Sequence, residues 1–287
     1  MKVLFWSPLH GQAGTTSNII ASSLITGMEF RKKILLTQTQ FNFNNLEAPI
    51  VGTNSNNAAS KDYFRDVGID SLTRYFKASR LNYESVENCC ISIDHTNMLL
   101  LPGTSKINRE SFEFETENVI LGLLGSIEEV YGLVMADISS GQNALSRKLM
   151  TNADLTVVNL SQNMSMMAEY FKNNAPNMPK KVFYLFGNYD CRSKYNINNI
   201  RRKYHNYINV NNSGVIPYCT GYLDAQCDGK VVDFIRDNLT CKKNDENYYF
   251  IQKAKSTTNK ILKMAGIKLD KNIASEANTV HKICERA

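Results

Sequence analysis

The segment at residues 7–17, SPLHGQAGTTS, contains residue types that can hold a phosphate group through the backbone. It follows an apolar run at 2–6 and precedes a helical pattern, with Gly11 and Gly14 placed before two threonines. In this layout the N–H groups of the loop and of the helix N-terminus point at one spot, which favours an anion. The usual motif, G-x-x-x-x-G-K-[ST], contains a lysine that is missing here. We expect an anion-binding loop, and the alternative is an ordinary glycine turn before a capped helix.

Short apolar runs must form the strands that position this loop. Most of them show no polar–apolar alternation, which is typical of strands buried on both faces. Helical patterns lie between them, and this alternation predicts a doubly wound α/β fold, a mostly parallel sheet with helices on both faces. Ligands in such sheets bind at the carboxyl ends of the strands. The predicted strands are 2–6, 33–37, 97–101, 133–137, 155–160, 181–186 and 215–217, and the predicted helices are 17–28, 69–77, 115–130, 144–152, 165–174, 197–205, 229–239 and 246–266.

The composition disfavours several classes of protein. No run approaches the roughly 18–20 apolar residues that cross a bilayer, and the apolar N-terminus is too short for a signal peptide. The 287 residues include seven cysteines without a C-x-x-C pair and four scattered histidines. These counts predict reduced thiols in a cytoplasmic protein and disfavour a zinc site. We predict one domain over residues 1–268 and a tail over 269–287, with the polar segment 54–61 as a surface loop.

The formal net charge of +6 is concentrated toward the C-terminus. Residues 1–179 carry 14 basic and 17 acidic side chains, net −3, whereas residues 180–287 carry 19 and 10, net +9. Within the basic part, the helical pattern at 246–266 combines an apolar stripe with interleaved lysines. In one interpretation the stripe packs on the sheet and the lysines face water. In the other, the helix attaches to an anionic membrane surface, with non-specific DNA binding as a rival use.

A deviant loop pattern, K-G-G-x-G-K-[ST], matches the spacing of this segment. Gly11 and Gly14 fall on its first and third glycines, and Gln12 replaces the second. His10 and Thr15 replace its two lysines. Apart from these replacements, the loop resembles that of the ParA/MinD family of P-loop ATPases.

Later motifs follow the order of the same family. Residues 38–40, QTQ, stand where the family has D-x-D after the second strand, and residues 133–141 resemble its Walker B run. Residues 186–189, FGNY, resemble the strand-end element whose asparagine reads adenine, and residues 215–218, VIPY, resemble I-P-[YF]. The resemblance covers residues 1–265 and implies the MinD-like P-loop NTPase fold.

The resemblance implies a degenerate site for ATP or ADP with Mg²⁺. Thr16 and Asp137 would hold the metal. Gln40 stands at an aspartate that orients or activates the attacking water, and an amide can orient water but cannot act as a base. No residue is therefore assigned a catalytic role. The residues implied to bind the nucleotide are His10, Gly11, Gln12, Ala13, Gly14, Thr15, Thr16, Ser17, Gln40, Asp137, Asn188, Pro217 and Tyr218.

The missing lysines set the expected strength of binding. In the family, one lysine neutralises the phosphates and the other reaches the partner's nucleotide across a dimer interface. Loss of one charged hydrogen bond costs roughly 1.5–3 kcal/mol, or about 10- to 100-fold in affinity. His10 carries a replacement charge only when it is protonated, and Thr15 carries none. We expect weak binding with weak or absent hydrolysis, and the alternative is an empty pseudo-site kept for folding.

Within the family, residues 7–17 look most like the TadZ branch, the polar-localisation proteins of tight-adherence (Flp) pilus systems. This implies a localisation or assembly factor for a pilus or secretion machine, which acts as a homodimer and recruits a partner such as the secretion ATPase. The resemblance implies that the protein is cytoplasmic and associates peripherally with the inner face of the membrane. The alternatives are an active DNA-partitioning ATPase and a nucleotide-free interaction scaffold.

Overall fold

The computed structural model describes residues 1–39, 46–52, 67–104, 106, 108–179 and 181–268. The tail predicted over 269–287 and the loop predicted at 54–61 lie outside these residues. Within them, the strands are β1 (Lys2–Trp6), β2 (Ile34–Gln38), β3 (Ile91–Ile93), β4 (Met98–Leu101), β5 (Val134–Asp137), β6 (Leu155–Leu160), β7 (Val182–Tyr189) and β8 (Ser213–Pro217).

These strands form one sheet in the order β3-β4-β2-β5-β1-β6-β7-β8. Neighbouring strands are parallel, except that β3 pairs antiparallel with β4 at one edge. In β1, the side chains of Leu4 and Trp6 pack into one apolar core and those of Val3 and Phe5 into the other. Because both faces are covered, the parallel strands need continuous apolar runs. The predicted doubly wound, mostly parallel α/β fold is confirmed.

Helices cover both faces of the sheet. One face carries α1, α2, α10, α11 and α12, and the other carries the helices α3 to α9. Among the described residues the helices are α1 (Thr15–Met28), α2 (Glu47–Val51), α3 (Ile69–Lys77), α4 (Tyr83–Asn88), α5 (Arg109–Glu117), α6 (Ile120–Tyr131), α7 (Ala144–Thr151), α8 (Met164–Glu169), α9 (Ile197–Lys203), α10 (Thr220–Cys227), α11 (Val231–Asn238) and α12 (Tyr248–Ala265).

Several elements differ from their predictions. The helix predicted over 115–130 is two helices, α5 and α6, and the helix predicted over 165–174 is α8 followed by a π-helical turn at Tyr170–Asn174. The elements β3, α2, α4 and α10 were not predicted. They have three to eight residues, too few for a clear apolar period, and α4 is set by a capping box in which Asn82 and Ser85 bond each other's backbone N–H.

The strand β7 is longer than predicted. The prediction ended at Phe186, but β7 continues to Tyr189 with an irregularity in its pairing with β8 between those two residues. This extension carries Gly187 and Asn188 beyond the end of the neighbouring β6. A predicted adenine-binding residue therefore lies on a strand rather than in a loop.

The helix α12 packs its apolar stripe against β8 and α1. Phe250, Ile251 and Ile261 are fully buried there, which agrees with the interpretation that the stripe packs on the sheet. Lys255 lies 3.0 Å from a carboxylate oxygen of Glu29 and donates to a backbone carbonyl. The apolar stripe of this helix is therefore already covered within the fold. Among the described helices, none is long and apolar enough to cross a membrane.

Candidate functional site

The loop after β1 lies in the middle of the sheet edge where the carboxyl ends of the parallel strands meet. β1 pairs with β5 on one side and with β6 on the other. The backbone N–H of Gly141 donates to the carbonyl of Ser7 at 2.9 Å, and the Trp6 indole N–H donates to the Gly141 carbonyl at 3.0 Å. The loop after β1, which contains most of the predicted phosphate-binding residues, is thus held beside the loop that follows β5.

Two glycines in the left-handed region shape the loop. Gly11 has φ +74° and Gly14 has φ +61°, a conformation that residues with a Cβ rarely adopt. Gly14 is also the N-cap of α1, so no N-cap side chain covers the first N–H groups of this helix. His10, Gly11 and Gln12 are exposed, whereas Ala13 is buried. The loop therefore offers backbone N–H groups at an uncapped helix N-terminus, an arrangement that favours an anion.

Thr16 and Asp137 meet beneath this loop. The Thr16 hydroxyl donates a hydrogen bond of 2.6 Å to Oδ2 of Asp137, which is the last residue of β5. Asp137 is only 2% exposed. Burial raises the pKa of Asp137 to about 7, although the bond from Thr16 lowers it in part. A hydroxyl and a buried carboxylate at the start of a helix are oxygen ligands of the kind that Mg²⁺ prefers.

The end of β7 places Asn188 beside the loop. Asn188 has φ +47° and is exposed, and a Cβ built on Gly14 would lie 3.4 Å from its Nδ2 atom. A side chain at position 14 would thus be strained by the backbone and crowded by Asn188. The structure brings Asn188 next to the third glycine position of the loop.

The end of β8 and the following helix α10 form the next wall of the site. Pro217 is buried, whereas Tyr218 is 57% exposed and its N–H donates to the carbonyl of Tyr189 at 3.2 Å. Tyr218 therefore lies one strand away from Asn188, on the open side of the sheet edge. Both side chains are exposed to solvent.

The helix α10 contributes two contacts that the sequence did not predict. The Tyr222 hydroxyl donates to the Ser17 carbonyl at 2.8 Å, and the Ser17 hydroxyl donates to Oε1 of Gln226 at 2.6 Å. The Ser17 side chain is thus bonded to α10, and what it can offer a ligand is its backbone N–H. No motif in this part of the sequence signalled these contacts.

The end of β2 holds a second buried carboxylate, that of Glu47 at the start of α2. Glu47 is 7% exposed and accepts hydrogen bonds from Nε2 of Gln38 at 3.3 Å and from the N–H of Gly103 at 2.5 Å. Gln38 pairs with Asp137 in the sheet register. Oε1 of Gln38 and the Thr39 hydroxyl are buried without a hydrogen-bond partner among the described residues. Gln40, assigned above to the nucleotide site, lies outside the described residues.

These residues fit a magnesium ion better than they fit the phosphates. Thr16 and Asp137 would supply two protein oxygens to Mg²⁺ in a phosphate site, where the ion takes its other ligands from the phosphates and water. The described residues contain no group of three or more His, Cys, Asp or Glu side chains that could hold a metal by itself. The loop supplies N–H groups and threonine hydroxyls to the phosphates, but His10 and Thr15 stand where lysines would supply charge.

In structure, the chain is similar to ATPases of the ParA/MinD type. It matches a ParA family ATPase from Chlorobium tepidum with a TM-score of 0.67 and 10% identity, over 90% of this chain and 97% of that one. It matches the septum site-determining protein MinD of Pyrococcus horikoshii, solved with Mg-ADP, with a TM-score of 0.63 and 12% identity, over 92% and 99%. MinD of Aquifex aeolicus in a MinC:MinD complex gives 0.58 and 13%, over 94% and 98%.

At these identities the similarity shows the fold alone. No family model matches the sequence, and no curated protein matches it significantly. The fold is that of the ParA/MinD P-loop ATPases, and it spans nearly the whole length of these neighbours.

Proposed function

We propose that this protein is a localisation or assembly factor that binds ATP or ADP with Mg²⁺ weakly and hydrolyses ATP slowly or not at all. The observation that carries the proposal is the 2.6 Å hydrogen bond from Thr16 to the buried Asp137, directly below a glycine loop without lysine. It supports a site that keeps the residues for a metal ion, Thr16 and Asp137, but lacks the two lysines whose positive charge would bind the phosphates.

In this proposal each part of the site has a distinct task. The backbone N–H groups from Gly11 to Ser17 surround the phosphates at the N-terminus of α1. Thr16 and Asp137 hold Mg²⁺, which supplies charge neutralisation to the phosphate oxygens when it is bound. Asn188 and Tyr218 line the side on which the base would lie. Because metal binding requires the ionised carboxylate, Asp137 releases its proton as the site fills at a pH below about 7.

Two other positions, 15 and 40, account for the slow hydrolysis in this proposal. Phosphoryl transfer depends on positioning and on charge placed around the phosphates. Thr15 has no charge, and Gln40, which stands at the position of the water-activating aspartate, cannot take a proton from water. The nucleotide would then act as a structural ligand that stabilises one conformation of the loop.

The proposed role is assembly at a pilus or secretion machine, at the inner face of the membrane. The similarity of loop 7–17 to the TadZ branch supports this role, and MinD of Aquifex aeolicus forms a complex with MinC on the same fold. We propose that this chain likewise forms a homodimer and docks a second protein, such as the secretion ATPase. The neighbouring genes would test the role, because a partitioning operon with a centromere-binding protein would contradict it.

The nucleotide site is tested by calorimetry and phosphate release on the purified chain. We expect heats of binding for ADP and ATP with Mg²⁺, with dissociation constants between tens of micromolar and millimolar, and a turnover near background. Thr16→Val should weaken binding about tenfold, while Thr151→Val, which removes an exposed helix hydroxyl, should not change it. No heat at millimolar nucleotide would contradict the proposal, and so would robust turnover that is lost in Asp137→Ala.

A further inference from the structure

The carbonyl of Ala13, in the middle of the glycine loop, points into the protein. It accepts a hydrogen bond of 3.0 Å from Nδ2 of Asn18, which lies one turn into α1. Ala13 is 1% exposed and Asn18 is 2% exposed. This part of the loop is therefore fixed from inside by a side chain rather than by a ligand or solvent.

The amide of Asn18 is itself held by a second buried amide. Its Nδ2 atom also donates to Oδ1 of Asn159 at 2.9 Å, on β6. The Nδ2 atom of Asn159 donates to the carbonyls of Trp6 and Val157, each at 3.2 Å. Asn159 is fully buried. Two buried side-chain amides thus connect α1, β6 and the end of β1 immediately below the loop.

Gly187 of β7 packs against the Ala13 carbonyl and the Asn18 amide. A Cβ built on Gly187 would lie 2.1 Å from the Ala13 carbonyl oxygen and 2.4 Å from Nδ2 of Asn18. Its φ is not in the left-handed region, so glycine is required here for space and not for conformation. The backbone of β7 thus passes directly against the bond between Asn18 and Ala13.

The orientation of the Ala13 carbonyl determines where the next N–H points. A trans peptide holds its C=O and the following N–H on opposite sides, and the described chain has no cis peptide. With the carbonyl of Ala13 turned inward, the N–H of Gly14 is turned outward to the open side of the loop. That N–H is one of the backbone donors available to a phosphate, and it matters more here because the loop lacks lysine.

We propose that Asn18, which packs against Gly187, and Asn159 are positioning residues that preset the loop for an anion. The inference rests on the proposed nucleotide site, which it deepens. Buried amides are costly unless they are bonded, and an apolar pair of the same size would pack here without that cost. Their task is to hold the Ala13–Gly14 peptide in one orientation before the ligand arrives, which lowers the cost of ordering on binding.

Two substitutions by leucine, which has nearly the shape of asparagine, test this proposal. In the ligand-free chain, Asn18→Leu and Asn159→Leu should each speed hydrogen exchange of the N–H groups at positions 11–16 about tenfold. The ADP dissociation constant in Mg²⁺ should rise about 5- to 10-fold, as expected for the loss of a preset donor. The matched control is Asn259→Leu, which replaces a buried asparagine of α12.

A third variant keeps the test valid where a leucine variant does not fold. Gly187→Ala leaves every side-chain hydrogen bond donor in place, yet it should displace the Ala13 carbonyl and produce the same faster exchange. Unchanged loop exchange and ADP affinity in all variants that fold, or changes as large in Asn259→Leu, would overturn the proposal. Absence of ADP binding by the parent chain would instead contradict the nucleotide site, while the exchange data would still report on loop positioning.

Discussion

The Thr16 hydroxyl and the Asp137 carboxylate are joined by a 2.6 Å hydrogen bond although 121 residues separate them in the chain. The parallel pairing of β1 with β5 brings them together, because the loop after each strand leaves the same edge of the sheet. The two side-chain oxygens proposed to bind a metal therefore lie next to each other in the fold. In the proposed site, Mg²⁺ rather than a protein cation would neutralise most of the phosphate charge.

The burial of Asp137 predicts how stability varies with pH. The pKa of Asp137 is raised to about 7 in the folded chain, against about 4 when unfolded, so the unfolded state ionises first. Its contribution is fully present below about pH 4 and is lost as the pH rises to about 7. Asp137→Asn should remove this decline and be more stable than the parent chain by about 1–4 kcal/mol at pH 8. Urea unfolding at several pH values measures the difference.

The control for this experiment is Asp237→Asn, because the side chain of Asp237 is 64% exposed. It should leave the pH dependence of the unfolding free energy nearly unchanged. If Asp137→Asn retains the slope of the parent chain between pH 4 and 7, then Asp137 is ionised in the folded state throughout.

Restoring a lysine should strengthen the site. Thr15 is the first residue of α1 and is half-buried at the loop. Thr15→Lys should lower the dissociation constant of ADP with Mg²⁺ about 10- to 100-fold, since it returns one charged hydrogen bond to the phosphates. Thr15→Met, of similar length and without charge, is the matched variant for calorimetry. Equal affinities of the two variants would show that phosphate does not reach this position.

Glu47 should stabilise the end of β2. Both of its carboxylate oxygens accept hydrogen bonds, one from Gln38 and one from the N–H of Gly103. Glu47→Gln turns one acceptor into a donor that would face another donor, and it should lower the free energy of unfolding by about 1–3 kcal/mol. Chemical denaturation measures this, with the exposed Glu110→Gln as the control. A variant as stable as the parent chain would argue against these contacts.

The cysteines should differ in their reaction with iodoacetamide. Cys191 and Cys227 are exposed, whereas Cys89 and Cys90 are buried, and burial raises the pKa of Cys90 far above its ordinary value. Brief treatment of the native chain should label Cys191 and Cys227 and leave the buried pair unmodified until urea is added. Peptide mass spectrometry gives the result. Rapid native labelling of Cys89 or Cys90 would contradict the packing of α4 against β3.

The parallel strands could be predicted because a strand that is buried on both faces is a continuous run of apolar residues. Such a run can be found in the sequence without knowing which strand it pairs with. Asp137 and the glycine loop could be found in the same way, since each follows such a run. The helix α10 could not, because it buries only Tyr222 and Ala225 and shows no clear stripe. The short edge strand β3 forms because it pairs with β4, and its own three residues show no sequence pattern that predicts this pairing.

The contacts that hold the glycine loop were harder to predict from the sequence than the loop itself. Asn159 is a polar residue inside the apolar run LTVVNL, and this was the one sequence signal for a buried hydrogen bond. Its partner, Asn18, lies 141 residues away on α1, and Gly187 lies on an extension of β7 that was not predicted. Such contacts follow from the packing of α1, β6 and β7, which a single sequence does not specify.

The central claim, a magnesium-dependent nucleotide site built on Thr16 and Asp137, is tested most directly by titrating ADP with and without Mg²⁺. We expect Mg²⁺ to lower the dissociation constant of ADP at least tenfold in the parent chain and in Asp237→Asn. In Asp137→Asn this effect of Mg²⁺ should be lost, because the amide brings no charge to the ion. An ADP affinity that does not depend on Mg²⁺ in the parent chain, or a magnesium effect that persists in Asp137→Asn, would contradict the account.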